Sequence, residues 1–421
     1  MVRLFAISLT VFLVYSLPFA LSAQADDATA ILQSAWEDER YQAYQRELDF
    51  FTNQNALNIP RLEELEFRTE THEFNPQLQE YALRLQLNSS RQIKVQERIN
   101  QQEYSLLLIR QEAYLEELLF QRYQFLIDIR YQQQHLALLE SRIPVMEDWE
   151  RVIQARIQAD GERHYSDWLE LEDDRLELQQ QAQLLQQQLQ AGRQQYTFWT
   201  EQTTNRLAVG IWPRPSQLEK NWLVWQNDTL VVPLNVQEQQ LTSSLVELEL
   251  AAEQAEERNR LNFLQLRYQG EDEDRVLREQ VTLGAGITLP FRSANSVKAQ
   301  YLKLEQIEEE NQELERQRRW LQKLQDAEAN MAIQVIAYQQ LETALNDYES
   351  RFGTAALQSR GITRPETYLQ ATMGVLERQA LLLEQEKQLY EAYLDVLLLS
   401  GRLIAKPYRN WLSDIQTPLR Q

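Results

Sequence analysis

The chain contains no cysteine, and its 421 residues include only 10 glycines, 11 prolines and three histidines. Without cysteine there can be neither a disulfide framework nor the lipidated N-terminal cysteine of a lipoprotein. Few turn-forming residues beside abundant Gln, Glu, Leu and Arg exclude a loop-rich compact scaffold and point to long helices. His72, His135 and His164 fall in different elements. Only His164 and Asp167, three apart on a helix, can meet, and zinc-like ions want three or four converging ligands, so no metal site is expected. Glu172-Asp173-Asp174 reads as a solvated face. There is no glycine-rich phosphate loop, no nucleophile elbow and no carboxylate pair in surroundings that would tune its acidity. Neither an enzyme nor a cofactor is expected. A basic excess is lacking too: the formal charge of −21 argues against nucleic acid or an anionic membrane surface as the main partner.

Long apolar runs are limited to one. Met1-Val2-Arg3 is followed by an apolar stretch from Leu4 to Leu21, then by Ala23-Gln24-Ala25 and the charged Asp26-Asp27. This is the pattern of a secretory signal over residues 1–25, although the run is also nearly long enough for an uncleaved membrane helix. Loss of Arg3 with the signal would move the charge from −21 to −22. No second run is long enough for a membrane helix, so a mature chain entering a bilayer core would do so with strands.

What is present is a duplication. Arg61-Leu62, Leu65, Phe67 and Arg68 reappear as Arg260-Leu261, Leu264, Leu266 and Arg267, and Gly161 with Trp168-Leu169 returns as Gly361 with Tyr368-Leu369. Matches about 200 residues apart at both ends of the unit mean two copies of a long module. The copies are read as residues 26–202 and 244–402, joined by a tryptophan- and proline-bearing linker at 203–243 and followed by a tail at 403–421 that can pack beside it.

Each copy reads as helix, strand, strand, very long helix, turn and returning helix. The leading helices cover Ala28 to about Asn55 and about Ser244 to Asn259. Period-two alternation follows, through Leu65 and Phe67, then Tyr81, Leu83, Leu85 and Leu87. In the second copy it runs through Leu264, Leu266 and Tyr268, then Val281, Leu283, Ala285, Ile287 and Leu289. These are two hairpins with one apolar face each, turning near Asn75-Pro76 and Glu271 to Arg278. From Arg91 to about Gln158 and from Ser293 to about Gln358 the pattern is helical, roughly 100 Å at 1.5 Å per residue. Pro144 predicts a kink or restart in the first. A four–three rhythm (Met331, Val335, Tyr338, Leu341, Leu345, Tyr348, Phe352) and a sevenfold one (Leu369, Leu376, Leu383, Tyr390, Leu397) predict coiled-coil packing. Gly161 and Gly361 are expected left-handed caps at the helical turns, with Pro365 in the first turn of the last helix.

Four strands cannot close a barrel, and open edges are not tolerated in lipid, so strands of several chains would have to share one. At this point the chain resembles the TolC-like outer-membrane efflux channel family. The likeness is carried by the order of elements over residues 30–402. It is sharpest at Val281-Thr282-Leu283-Gly284-Ala285-Gly286-Ile287-Thr288-Leu289-Pro290-Phe291 and at Arg360-Gly361 to Tyr368-Leu369-Gln370-Ala371. The expected fold is mainly α with a small β part: long coiled-coil hairpins, two internal repeats, and four strands per chain given to a shared transmembrane barrel. The resemblance implies a homotrimer in outer-membrane lipid with a large periplasmic part, docked to a periplasmic adaptor and an inner-membrane pump as a passive exit duct. It also implies a constriction at the second-copy turn, where the family's two acidic positions are Thr367 and Gln370 here. Their first-copy counterparts are Asp167 and Glu170, which could form an acidic ring or be ordinary surface acids. The competing reading is a soluble periplasmic coiled-coil adaptor or scaffold with no pore. An enzyme with a helical arm has no supporting motif.

Overall fold

A computed structural model describes residues 28–53, 60–71, 79–204, 207, 210, 212–225, 231–257, 261–269, 281–287, 294–362, 364–413 and 418–419. The signal-like segment, His72, both strand turns and the Leu289-Pro290-Phe291 stretch lie outside them.

The described residues begin with helical residues 28–33 and a 3₁₀ turn (Ser34–Trp36), followed by α1 (Glu39–Asn53). Then come β1 (Leu62–Thr71), β2 (Gln79–Leu87), α2 (Ser90–Asp160) and α3 (Tyr165–Thr200). After α4 (Pro215–Trp225), the order repeats as α5 (Leu234–Glu257), β3 (Leu261–Gln269), β4 (Val281–Ile287), α6 (Ala294–Phe352), the short α7 (Thr354–Ser359) and α8 (Pro365–Leu399). The fold is mainly helical with one small antiparallel sheet and two copies of one module.

The strands form a single sheet ordered β1-β2-β3-β4, so β2 and β3 join the two hairpins, a pairing that alternation alone does not reveal. Register aligns the apolar residues in rows across all four strands. Leu65, Leu85, Leu264 and Ala285 form one row, Phe67, Leu83, Leu266 and Leu283 the next, and Thr69, Tyr81, Tyr268 and Val281 the third. Rings stack along the third row at 6.4 Å (Tyr81–Tyr268) and diagonally between rows at 6.0 Å (Phe67–Tyr81). The other face is polar: Glu66 receives Arg68 at 2.7 Å, and Glu80 receives Arg267 Nε at 2.8 Å. Both copies break register at the same repeat position, between Leu62 and Glu64 and between Leu261 and Phe263. The apolar face is bare. Leu283 is 80% exposed and Phe67 61%, a patch that needs an apolar medium rather than water.

The 71 residues of α2 span about 105 Å. A capping box starts it: Ser89 Oγ accepts from the Gln92 N–H at 3.1 Å, and the Ser89 N–H donates to Gln92 Oε1 at 2.8 Å. No restart occurs at Pro144, which sits inside one continuous helix. In α6 the predicted rhythm is packed except at its end: Met331, Val335 and Leu345 are buried while Phe352 is 44% exposed, and Leu383, Tyr390 and Leu397 of α8 are buried.

Near the sheet the helices lie side by side as α1, α2, α5, α6; farther away the order is α3, α2, α8, α6. A collar of aromatic residues closes the middle. Trp212 meets Tyr390 edge-on at 4.9 Å, and the Tyr390 hydroxyl donates to the Pro213 carbonyl at 2.7 Å. Tryptophans of linker and tail pack as expected, Trp225 against Trp411 at 5.5 Å. Gln33 Nε2 donates to the Leu419 carbonyl at 2.8 Å, so the two ends of the described chain meet there.

Candidate functional site

The end farthest from the sheet carries the two helical turns. Gly361 has φ +69°. The Ile362 N–H donates to the Leu357 carbonyl at 3.2 Å and the Gly361 N–H to Gln358 at 3.0 Å, the paired bonds of a Schellman cap. Pro365 then occupies the opening turn of α8, where its missing N–H goes unneeded. Gly161 also has positive φ, but at φ 76° and ψ −147° it lies outside the left-handed helical region, in territory open essentially to glycine alone. A 3₁₀ turn, Gly161–His164, leads from it into α3.

Between the two turns opens a cleft of about 1150 Å³, walled by the ends of α2, α3, α6 and α8. Asp167 and Glu170 line it from α3 and Thr367 and Gln370 from α8, so one cleft gathers all four sequence-predicted positions. Helical spacing explains the grouping: Asp167, Glu170, Asp174 and Glu177 are at i, i+3, i+7 and i+10, one stripe of α3. The floor is apolar, with Met146, Trp149, Leu178, Phe352 and Met373 among its residues.

Each of the three arginines on the cleft has a partner. Arg142 pairs with Glu377 at 3.8 Å, and Arg156 pairs with Glu366. Arg378 lies 3.7 Å over the Tyr348 ring and donates to the Gly374 carbonyl at 2.8 Å. With the α3 stripe and Glu377 against three arginines the cleft is net acidic, and the stripe is tempered by His164 Nδ1 at 3.2 Å from Asp167 Oδ2 and by Gln181, which donates to Glu177 at 3.0 Å. An anionic wall over an apolar floor favours cations with apolar bodies.

Sequence reading missed the ties that join the two hairpins. Besides Arg142–Glu377 and Arg156–Glu366, Arg130 meets Glu386 at 2.8 Å and Lys387 meets Asp128 at 3.0 Å. All cross from α2 to α8. The partners lie more than 200 residues apart, and only the sevenfold pattern of α8, with Val375, Leu382, Leu389 and Val396 as a second apolar seam beside the first, hinted that it has more than one neighbour. His135 stands apart from His164, half-buried beside Tyr131, and burial holds its imidazole below the usual histidine range. Among the described residues no group of three His, Asp or Glu converges as a metal site would require.

Paired hairpins on the order of 100 Å long, topped by an open-edged sheet with one apolar face, make the fold of TolC-like outer-membrane channels. No known family profile matches the chain, and no curated protein matches it in sequence. Solved structures match its shape. VceC, an outer membrane protein of Vibrio cholerae, has a TM-score of 0.65 at 11% identity, over 89% of this chain and 96% of that one. CusC, described for the changes that accompany folding and transmembrane channel formation, scores 0.61 at 12% identity over 89% and 92%. The open-state MtrE outer membrane channel of Neisseria gonorrhoeae scores 0.60 at 14% identity over 91% and 89%.

Proposed function

We propose that the chain is the protomer of an outer-membrane channel, the passive exit duct of a tripartite efflux or secretion system. The sheet carries this reading. Its strands of 10, 9, 9 and 7 residues are close to the length that crosses a bilayer, one face is apolar and unpacked, and both edges are open. Unpaired backbone groups in hydrocarbon cost several kcal/mol each, so the edges must be covered by other copies. The strands alternate in direction, so β4 of one copy runs antiparallel to β1 of the next and copies can close a barrel of even strand number. Three copies give the twelve strands that the TolC-like resemblance implies. The polar face then lines a water-filled lumen, and the helices continue it through the periplasm.

On this reading the turns at Gly161 and Gly361 are the periplasmic tips, where a periplasmic adaptor and an inner-membrane pump dock. Asp167, Glu170, Thr367 and Gln370 sit at the constriction, with the acidic ring supplied by the first hairpin rather than the second. A soluble adaptor would have no use for an apolar sheet face of this size. The test is fractionation with native mass measurement: the protein should sediment with the outer membrane and weigh three chains in detergent. Recovery as a soluble periplasmic monomer would end the channel reading.

A further inference from the structure

The four strands carry three basic residues, Arg68, Arg84 and Arg267, and none falls on the apolar face. All three lie in two successive rows of the polar face, Glu66-Arg84-Gln265-Gly284 and Arg68-Ala82-Arg267-Thr282. Those rows hold one carboxylate, Glu66, so the band is +2 in each copy of a chain whose formal charge is −21. The rows to either side are acidic, with Glu70 and Glu80 toward the strand turns and Glu64 toward the helices. Rows on one face stand about 7 Å apart. That is more than the screening length of roughly 3 Å at 1 M salt, so an ion beside the wall meets the band as a zone of its own sign.

Arg84 has the least compensation of the three. Glu66 accepts from Arg68 Nε at 2.7 Å and reaches Arg84 only at 3.9 Å, while Glu80 accepts from Arg267. What holds Arg84 is a ring: its guanidinium carbon lies 3.8 Å from the centre of Phe263. Phe263 is the one aromatic residue of the polar face among the described residues, and it sits just after the register break of β3. Its pairing partner is Gly286, where a Cβ would run into the ring. Bulge, glycine and ring together build a shelf that fixes a guanidinium on the polar surface without spending a carboxylate on it.

We propose that Arg84 on its Phe263 shelf, with Arg68 and Arg267 beside it, is an anion-selecting belt inside the barrel. This rests on the proposed channel, which turns the polar face to the lumen, and it adds the chemistry of the cargo. A guanidinium offers paired N–H donors matched to carboxylate or phosphate oxygens, so molecules bearing such groups are held at the belt as they pass. Three copies would bring nine arginines to one level of the duct, at the opposite end from the acidic tip cleft.

Current through the purified protein in a planar bilayer reads the belt, with inorganic pyrophosphate as the probe. Pyrophosphate should block the parent. Arg84→Gln should weaken the block about tenfold or more and move permeability from chloride toward potassium, since a hydrogen bond to a charged group is lost. Arg84→Lys keeps the charge and should retain much of both, and Phe263→Leu, which keeps the arginine but not its shelf, should fall between. Arg68 is 54% exposed, so Arg68→Gln gives the same test if Arg84→Gln fails to assemble. A parent that conducts without being blocked, or a block that survives the glutamine variants, would overturn the belt and leave the channel standing. A parent that passes no current would overturn both.

Discussion

Gly161 and Gly361 stand at equivalent turns, yet their backbones differ, and substitution should tell them apart. A Cβ added at either position meets no atom within 4 Å, so the cost is that of the backbone alone. At Gly361, φ +69° inside a Schellman cap is left-handed helical, costing about 1–2 kcal/mol for alanine and less for asparagine, whose short side chain bonds locally. At Gly161, ψ −147° removes that escape, and any side chain should cost about 1–3 kcal/mol. Since about 1.4 kcal/mol is a factor of ten, Gly361→Ala should raise local opening of the tip roughly five- to thirtyfold while Gly361→Asn stays near the parent. Gly161→Ala and Gly161→Asn should both rise. Hydrogen exchange of tip amides reads this directly, because the last turns of such helices open without the rest. Where docking needs an ordered turn, export by cells making Gly361→Val at normal level should fall as well. Equal exchange for Ala and Asn at position 361, or tolerance of Asn at 161, would refute the assignment of the two backbones.

Glu116 is buried in α2 with Oε1 unpartnered, and burial pushes its carboxyl from 4.5 up to about 7. A raised folded value means that its contribution is full below pH 4.5 and is lost as pH rises through 7, about 3 kcal/mol in all. Glu116→Gln should therefore flatten the fall in urea midpoint between pH 5 and pH 8, and an unchanged fall would show that the carboxyl is solvated in the assembly. Leu283→Arg places a charge on the apolar sheet face and should cost about 2–4 kcal/mol if that face meets lipid at mid-depth. Thr282→Arg on the opposite face should be tolerated, and equal folding of the two into liposomes would mean that the faces are misassigned. Replacing Asp167 and Glu170 with Asn and Gln should reduce cation preference in single-channel recordings; unchanged selectivity would return them to ordinary surface charges.

The duplication and the strands were legible because period-two alternation leaves a signature in a few residues, and the equivalent positions Leu65 and Leu264 turn out to flank the same Leu85. Helix extent was legible within a few residues where caps are local, as at Ser89 and Pro365. It failed where neighbours decide. The second leading helix starts at Leu234 rather than near Ser244, since a polar run of Gln and Ser hides a helix held by packing on α2. Pro144 predicted a kink or restart; there is no restart, and apolar contacts on both sides, through Leu139 and Met146, hold α2 as one helix. The tip cleft was half legible: the family resemblance pointed to Thr367 with Gln370 and, through the duplication, to Asp167 with Glu170. Only the folded hairpins set the two pairs on one cleft and tied Arg142 and Arg156 to residues over 200 positions away.

The central claim is that copies of this chain enclose a pore through a bilayer. Purified protein added to a planar lipid bilayer should give discrete, long-lived conductance steps, and Leu283→Arg protein that fails to assemble should give none. A folded, membrane-incorporated assembly that passes no current under any applied voltage, with or without its docked partners, would contradict the account.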